Sequence, residues 1–240
     1  MDKSPRDQTQ SSTRQAVAGT VPFGGKDIPE GLKAKRVEAV FEGVAPRYDL
    51  MNDLMSFGAH RLWKTACVDW LIPRPGMRIL DVAGGTADIA IRIAKRTGAA
   101  AIEAAGGNIT VIDVNGAMIA VGKDRVGTAG LNQVIGFSRG DAEALPVADG
   151  SVDAYIIAFG LRNVTHPDVA LSEARRVLAP GGRFLCLEFS KPRWPLLGPA
   201  YDSYSNHVLP RMGAMIAGDP DAYQYLVESI RRFPDQDELA

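Results

Sequence analysis

The chain has 240 residues, of which 46% are hydrophobic and 23% charged, the composition of an ordinary globular chain that can bury one large core. Its net charge of -1 gives no electrostatic argument for nucleic-acid binding, and we predict no nucleic-acid partner. The two cysteines lack metal-ligand spacing, so we predict reduced thiols in a cytoplasmic protein and no metal site. The sequence contains no run of about 18 apolar residues, the length that a membrane-spanning helix needs.

The chain divides by composition into a tail and one domain. Residues 1–28 are rich in Ser, Thr, Gln, Gly and charge and lack the apolar core of a signal peptide, so we predict a disordered tail. We predict a single domain over 29–240, made of a helical lid at 29–72, a cofactor-binding core at 78–190 and a substrate-side helical segment at 191–240. The lid carries two helical patterns, "KAKRVEAVFEGVA" and "AHRLWKTACVDWL", ahead of the first strand.

From residue 78 onward, strand and helix patterns alternate. The β-rich runs are "RILDVAG", "NITVIDVN", "VIGFSRGDA", "VDAYIIAFG" and "RFLCLEFS". Helical patterns between them are "ADIAIRIAKRTG", "GAMIAVGKDRVGTAG" and "HPDVALSEARRVL", while "AAAIEAAGGN" fits a helix extension or a small insertion. This alternation predicts an α/β fold with a doubly wound, mostly parallel sheet and helices on both faces.

The first strand ends in a glycine turn, "RILDVAGGTAD", that leads into a helix. Such a turn is the usual cradle for a nucleotide-like ligand. Gly84 and Gly85 are adjacent, which breaks the dinucleotide fingerprint, and no Lys or Arg lies in the turn to meet a pyrophosphate. A nicotinamide dehydrogenase therefore stays only as an alternative, which titration with NADH would test.

Acidic residues end the next two strands. Asp113 can accept both hydroxyls of a ribose, Asp141 can accept from an adenine amino group, and the backbone N–H of Ala142 can donate to an adenine ring nitrogen. A ligand with adenine and ribose but an amino acid in place of phosphates is S-adenosylmethionine, whose ammonium would need Asp81 or a carbonyl near Ala83. The alternative for each feature is a simple turn or a helix cap. Their order along three strands predicts S-adenosylmethionine as the cofactor.

Three longer motifs carry a resemblance to a known family. "FEGVAPRYDLMNDLMSFGAHRLWK", "AFGLRNV" and "RRVLAPGGRFLCLEFSKP" resemble the ubiquinone/menaquinone biosynthesis C-methyltransferases, from about residue 32 to the end. The resemblance implies a Rossmann-like class I methyltransferase that methylates a ring carbon of a polyprenylated benzoquinol, of demethylmenaquinol, or of both. Matching motifs imply cofactor contacts at Thr86, Asp113, Asp141 and Ala142.

The sequence departs from the family pattern at two places. The family often has Ser before the "FGLRN" stretch and contacts the cofactor with it, whereas this chain has Ala158 and lacks that hydroxyl. The family also continues past position 240 with a segment that completes the sheet. The resemblance therefore implies that the C-terminal strands are missing from this chain, which would remove buried area from the sheet.

Methyl transfer to a ring carbon sets the chemical demands on the site. The carbon is a strong nucleophile only when the neighbouring hydroxyl is at least partly ionised, and the ring proton then needs an acceptor. "FGLRNVTH" leaves the fourth strand at the ligand end, where Arg162 could stabilise the phenolate and Asn163 could orient its oxygen. In the lid, Tyr48 could donate a hydrogen bond to a quinol oxygen.

Each of these catalytic candidates has a structural alternative. Arg162 could form an ion pair with Asp153 or Glu188, and Tyr48 could be a packed, half-buried residue. His166 is an alternative proton acceptor, although its position before Pro167 favours a role at the start of a helix.

A prenylated substrate would need an apolar channel and access to a membrane. Candidate channel residues, which could equally be plain core, are Met51, Leu54, Met55, Phe57, Trp63, Trp194, Tyr201, Tyr204, Met212 and Met215. We predict peripheral contact with the inner face of the membrane and either a homodimer or association with other quinone-biosynthesis enzymes. The functional alternatives are a methyltransferase acting on another small phenol or amine, and a non-catalytic scaffold of the quinone-biosynthetic complex.

Overall fold

A five-stranded sheet forms the centre of the fold in the computed structural model, which describes residues 19–189 and 220–239. The strands are β1 (Thr20–Phe23), β2 (Lys26–Pro29), β3 (Arg78–Val82), β4 (Asn108–Asp113), β5 (Ile135–Arg139), β6 (Val152–Ala158) and β7 (Leu178–Leu187). The helices are α1 (Glu30–Val44), α2 (Tyr48–Ser56), α3 (Ala59–Leu71), α4 (Asp88–Thr97), α5 (Ala99–Ala104), α6 (Gly116–Thr128), α7 (Pro167–Val177), α8 (Pro220–Arg232) and α9 (Gln236–Leu239). Short 3-10 turns occupy Ala45–Arg47 and Leu161–Asn163.

The strand order of the sheet is β5-β4-β3-β6-β7, and every pairing in it is parallel. From β3 the chain adds β4 and β5 on one side and then crosses back to add β6 and β7 on the other. The direction of winding reverses at β3, so a cleft opens beyond the carboxyl ends of β3 and β6. The predicted Rossmann-like, doubly wound fold is confirmed. The prediction of missing C-terminal strands stays a prediction.

Both faces of this sheet are buried, which explains why its strands are apolar almost throughout. Ile79 of β3 packs in a cluster with α3 and α4, whereas the next residue, Leu80, packs in a cluster with α7 on the opposite face. The same alternation holds along β6, where Ile156 belongs to the first cluster and Ile157 to the second. The pleat of the strands therefore places helices on both sides of the sheet.

The predicted disordered tail at 1–28 is wrong for its last residues, because β1 and β2 form an antiparallel hairpin. The hairpin is too short to have its own core, and it is held by α8 from the other end of the chain. The ring of Phe23 lies 4.5 Å from that of Tyr225, and the backbone N–H of Gly25 donates to Glu228. A composition argument could not detect contacts across about 200 residues. Residues 1–18 lie outside the described part.

The two helices predicted in the lid region are present as α1 and α3, and the structure adds α2 between them. Two hydrogen bonds attach α1 to the core. The Lys33 ammonium donates to the carbonyl of Val164 at 2.6 Å, and the Asn115 amide donates to the carbonyl of Glu38 at 3.1 Å. Helix α1 therefore lies against the carboxyl ends of the parallel strands. Of the substrate-side segment predicted at 191–240, residues 191–219 and 240 lie outside the described residues.

Candidate functional site

The glycine turn after β3 is held in an unusual backbone conformation. Ala83, Gly85 and Ala87 all have positive φ, at 52°, 30° and 61°, which costs free energy for the two alanines and is often found at functional sites. A Cβ at Gly84 would lie 2.6 Å from the carboxyl carbon of Asp81, so only glycine fits there without a shift. The turn therefore exposes backbone to the cleft.

Asp113, at the end of β4, fastens this turn to the neighbouring strand. Its Oδ2 accepts from the backbone N–H of Gly85 at 2.9 Å, and its Oδ1 accepts from the N–H of Asn115 at 2.8 Å. Burial raises the pKa of the Asp113 carboxyl to about 6, while these N–H donors act in the opposite direction. Each carboxylate oxygen can accept a further hydrogen bond from a ribose hydroxyl.

The larger of two spaces beside the turn encloses about 790 Å³, part of it open to solvent. Its walls include the predicted residues Tyr48, Asp113, Asp141, Ala142 and Asn163. Apolar side chains of α1 and α6 complete it, among them Val37, Phe41 and Met118. The space combines apolar walls with carboxylates at strand ends.

The smaller space, about 340 Å³, holds the other predicted cofactor residues. Its walls include Asp81, Gly84, Gly85, Thr86 and Tyr48, together with Lys64 and Asp88. The two spaces meet, because Tyr48, Ala83, Met118 and Phe159 line both of them. All the predicted site residues except Arg162 therefore line one space or the other.

Asp81 is completely buried in the wall of the smaller space. Its Oδ2 accepts from the backbone N–H of Ala90 at 3.1 Å, whereas Oδ1 has no hydrogen-bond partner among the described residues. Burial is the main reason that the pKa of this carboxyl is raised to about 7; the charge of Asp88 also raises the pKa, whereas the N–H of Ala90 and the charge of Lys64 lower it. The neutral form of this carboxyl therefore predominates in the folded protein below about pH 7.

This buried carboxyl predicts a pH effect on stability. Because its pKa is raised in the folded state, the stability it contributes is present below about pH 4 and is lost as the pH rises toward about 7. We expect Asp81→Asn to gain stability relative to the parent over that window, on the order of 1.4 kcal/mol per pH unit. Urea unfolding of both proteins from pH 4 to 8 measures the difference, and a pH-independent difference would contradict the assignment.

Arg162 lies behind the walls of the two spaces, in the 3-10 turn after β6. Its Nη1 donates to Oε1 of Glu188 at 2.5 Å and to the carbonyl of Phe159 at 2.6 Å. The ion pair with Glu188, one of the predicted alternatives, is therefore present, whereas Asp153 pairs with Arg78. The side chain is 1% exposed, and its Nε and Nη2 have no partner among the described residues.

Asn163 and Tyr48 lie on the cavity side of this turn. Oδ1 of Asn163 accepts from the Tyr225 hydroxyl of α8 at 2.9 Å. Burial raises the pKa of the Tyr48 hydroxyl, and the charge of Arg162 acts in the opposite direction. His166 is displaced from the site, since its Nε2 bonds Glu30 at the surface.

Sequence reasoning missed three residues that shape the site. Phe159 lines both spaces, and Tyr225 reaches Asn163 from α8. Lys64 lies on the buried stripe of α3 with His60, Val68 and Leu71, and its Nζ donates to Asp88 at 2.8 Å. A lysine in the apolar stripe of a helix was the signal that could have identified it.

The described channel candidates divide between core and surface. Met51 and Met55 are fully buried in the cluster of α1, α2 and α8, so they pack as core. Trp63 is 42% exposed and makes an edge contact with Phe189, with ring centroids 5.9 Å apart. The candidates Trp194, Tyr201, Tyr204, Met212 and Met215 lie outside the described residues.

Comparison with known proteins decides the family. The sequence model of the ubiE/COQ5 methyltransferase family matches residues 30–240. The chain belongs to this family. It is 54% identical over 218 residues to the ubiquinone/menaquinone biosynthesis C-methyltransferase UbiE of Roseobacter denitrificans, with 91% of this chain and 84% of that protein covered. It is 53% identical to UbiE of Brucella anthropi, over 91% and 81% of the two chains.

Membership of the ubiE/COQ5 family confirms the predicted enzyme class. The chain is an S-adenosylmethionine-dependent C-methyltransferase of quinone biosynthesis. Solved structures share its fold: the cyclase SpnF has a TM-score of 0.57 and 27% identity over 67% of this chain and 62% of its own. A methyltransferase from Aquifex aeolicus has a TM-score of 0.51 and 20% identity over 75% and 87% of the two chains. Because a cyclase shares the fold, the reaction has to be argued from the site.

Proposed function

We propose that this chain transfers the methyl group of S-adenosylmethionine to a ring carbon of a polyprenylated benzoquinol, of demethylmenaquinol, or of both. The observation that carries the proposal is the pair of connected spaces with different chemistry. One is large, mostly apolar and edged by carboxylates, and the other is small and polar. The two spaces meet at two aromatic rings. S-adenosylmethionine has its parts in the matching order, with an adenosine, a sulfonium and an amino acid.

The ligand is proposed to lie across both spaces. Its ribose hydroxyls bond to Asp113, and its adenine contacts Asp141 and the backbone of Ala142. Its amino-acid end enters the small space beside Asp81, Thr86 and the exposed backbone of the glycine turn, which completes the predicted cofactor set.

At the junction of the two spaces, the sulfonium would lie between the rings of Tyr48 and Phe159. Aromatic faces attract a cation, and the Met118 thioether adds a polarisable neighbour.

The transfer forms a bond from the ring carbon to the methyl carbon and breaks the methyl–sulfur bond. The ring hydroxyl beside the nucleophilic carbon would first give its proton to solvent water in the open part of the larger space, because the phenolate is the stronger nucleophile. After the transfer, the methylated ring carbon would give its proton to water, which restores the aromatic ring, and S-adenosylhomocysteine would leave as the neutral thioether. Among the described residues, the buried Nε and Nη2 of Arg162 have no hydrogen-bond partner. Because Arg162 lies behind the walls of the two spaces, these donors would stabilise the oxygen through a water. Tyr48 and Asn163 hold the ring from the cavity side.

The substrate carries a lipid tail, so the protein has to reach a bilayer. Across residues 19–189 and 220–239, no helix is long and apolar enough to cross a membrane. We propose peripheral contact with the inner face of a membrane from the cytoplasm, either as a homodimer or with other quinone-biosynthesis enzymes. Co-sedimentation of the full chain with anionic lipid vesicles tests the contact, and retention of all protein in the supernatant would contradict it.

Product analysis tests the reaction itself. We expect the full chain, incubated with methyl-labelled S-adenosylmethionine, to add one methyl group to a ring carbon of a prenylated benzoquinol or of demethylmenaquinol. A soluble catechol and a small amine serve as competing acceptors. Mass spectrometry of the extracted products identifies the methylated ring. Methylation of the catechol or amine alone would replace the proposal with a general methyltransferase, and no methylation of any acceptor would indicate a scaffold.

Asp113→Ala is expected to weaken S-adenosylmethionine binding much more than quinol binding. The variant loses the acceptor for two ribose hydroxyls and also the bond that holds Gly85 in place. Loss of a charge-assisted hydrogen bond corresponds to roughly 1.5–3 kcal/mol, about ten- to a hundredfold in affinity. Calorimetric titration of the folded variant measures the effect. Unchanged cofactor affinity would remove Asp113 from the site.

A further inference from the structure

The smaller space contains a buried ammonium group to which no role has been assigned above. The side chain of Lys64 is 4% exposed, and its Nζ lies 2.8 Å from Oδ2 of Asp88 and 5.8 Å from the centre of the Phe159 ring. A lysine is seldom buried without a compensating partner, because the desolvation of its charge is costly. Its position in the wall of this space therefore calls for an explanation.

The ion pair with Asp88 accounts for only part of the bonding capacity of Lys64. The ammonium has three N–H donors, and the hydrogen bond to Asp88 is the one recorded for it within the described parts of the chain. Asp88 is also held by Arg92 of the same helix, whose Nε lies 2.9 Å from Oδ1. At the first position of α4, the Asp88 carboxylate is further stabilised by the helix dipole. Asp88 thus does not depend on Lys64 alone.

A second, independent feature lies in the same wall. Asp81 has no solvent exposure, and its Oδ1 is without a hydrogen-bond partner among the described residues. The small space therefore presents a cation with unused donors and a carboxyl oxygen with unused acceptor capacity. One ligand group that uses both is the zwitterion of an α-amino acid, with its carboxylate and its ammonium on one carbon.

We propose that Lys64 binds the α-carboxylate of the cofactor's amino-acid end, beside Oδ1 of Asp81, which the sequence already predicts as an acceptor for the α-ammonium. The inference rests on the proposed placement of the cofactor across the two spaces and adds to it the group that recognises the amino acid. Asp88 holds the Lys64 ammonium at the wall, and the ring of Phe159 shields it from water. The site thereby distinguishes an adenosyl amino acid from an adenosyl thioether that lacks these charges.

Two adenosyl ligands separate this role from a structural one. S-adenosylhomocysteine carries both charged groups, and 5′-methylthioadenosine carries neither. We expect Lys64→Met to lose about ten- to a hundredfold in affinity for S-adenosylhomocysteine and to bind 5′-methylthioadenosine as the parent does. The matched control is Lys95→Met, which removes the same charge from an exposed position on α4 and should change neither affinity.

The experiment is calorimetric titration of the full chain at one pH, with a thermal melt of each variant to confirm folding. Equal losses for the two ligands, or no loss for either, would show that Lys64 serves only the fold and would overturn the inference. If the parent itself bound neither ligand, the proposed cofactor site would fail instead, which keeps the two failures distinct.

A measurement on the parent protein keeps the inference testable if Lys64→Met does not fold. Decarboxylated S-adenosylhomocysteine retains the ammonium and lacks the carboxylate, so we expect the parent to bind it at least about tenfold more weakly than S-adenosylhomocysteine. Equal affinity for the two ligands would mean that no cation meets the carboxylate. The Asp81→Asn variant should still bind S-adenosylhomocysteine more tightly than the decarboxylated ligand. It should bind both ligands more weakly than the parent does, because both carry the ammonium.

Discussion

Removal of the Arg162 charge is expected to lower kcat by about 10²- to 10³-fold, the scale of losing one preorganised electrostatic donor. The benefit of a fixed positive charge grows as the ring oxygen gains negative charge, so the loss should appear in the transition state and leave cofactor affinity nearly unchanged. Arg162→Gln alone would leave Glu188 buried without its cation, which typically costs 3–5 kcal/mol of stability. The informative variant therefore carries Arg162→Gln together with Glu188→Gln.

Glu188→Gln alone is the matched control, because it removes the pair and keeps the guanidinium. We expect this control to retain far more activity than the double variant. The rate of the double variant should also rise over a higher pH range than in the parent, since the substrate hydroxyl would ionise without help. Single-turnover rates across pH measure both effects. If the double variant reacted at the parental rate with the parental pH profile, Arg162 would have only a structural role. Tyr48 would then be the next group to test.

Gly122→Ala is expected to have the second large effect, a loss of at least about tenfold in S-adenosylmethionine affinity together with reduced stability. A methyl group at this position of α6 would clash with the carbonyl of Gly85 and approach the Phe137 ring to 2.9 Å. Either α6 or the glycine turn would have to move, and overpacking of this kind typically costs about 1–3 kcal/mol. Calorimetric titration and urea unfolding measure the two losses.

Gly127→Ala is the control on the same helix. A methyl group there would meet only the Asn132 amide, at 3.8 Å, so this substitution should bind cofactor normally. Alanine also favours a helix over glycine by about 1 kcal/mol, and the control should gain stability. If Gly122→Ala behaved like Gly127→Ala, the close approach of α6 to the turn would not matter for cofactor binding.

The sequence by itself predicted the sheet and the cofactor cradle. Alternating periodicities are local properties, and they identified all five parallel strands and the main helices of the core. The break in the dinucleotide fingerprint is visible in the sequence itself. The acids at strand ends could be assigned to one cleft because parallel strands bring their carboxyl ends to one edge of the sheet. Asp81, Asp113 and Asp141 line the cleft for that reason.

The roles of individual charged side chains were decided by contacts that only the tertiary structure creates. Arg162 pairs with Glu188 because adjacent β6 and β7 bring residues 26 positions apart together, and sequence alone left two partners open. Lys64 meets Asp88 because α3 packs on α4, and the hairpin at residues 20–29 is ordered by α8. Periodicity reports which face of an element is buried, whereas the partner of a buried charge depends on which distant element packs against that face.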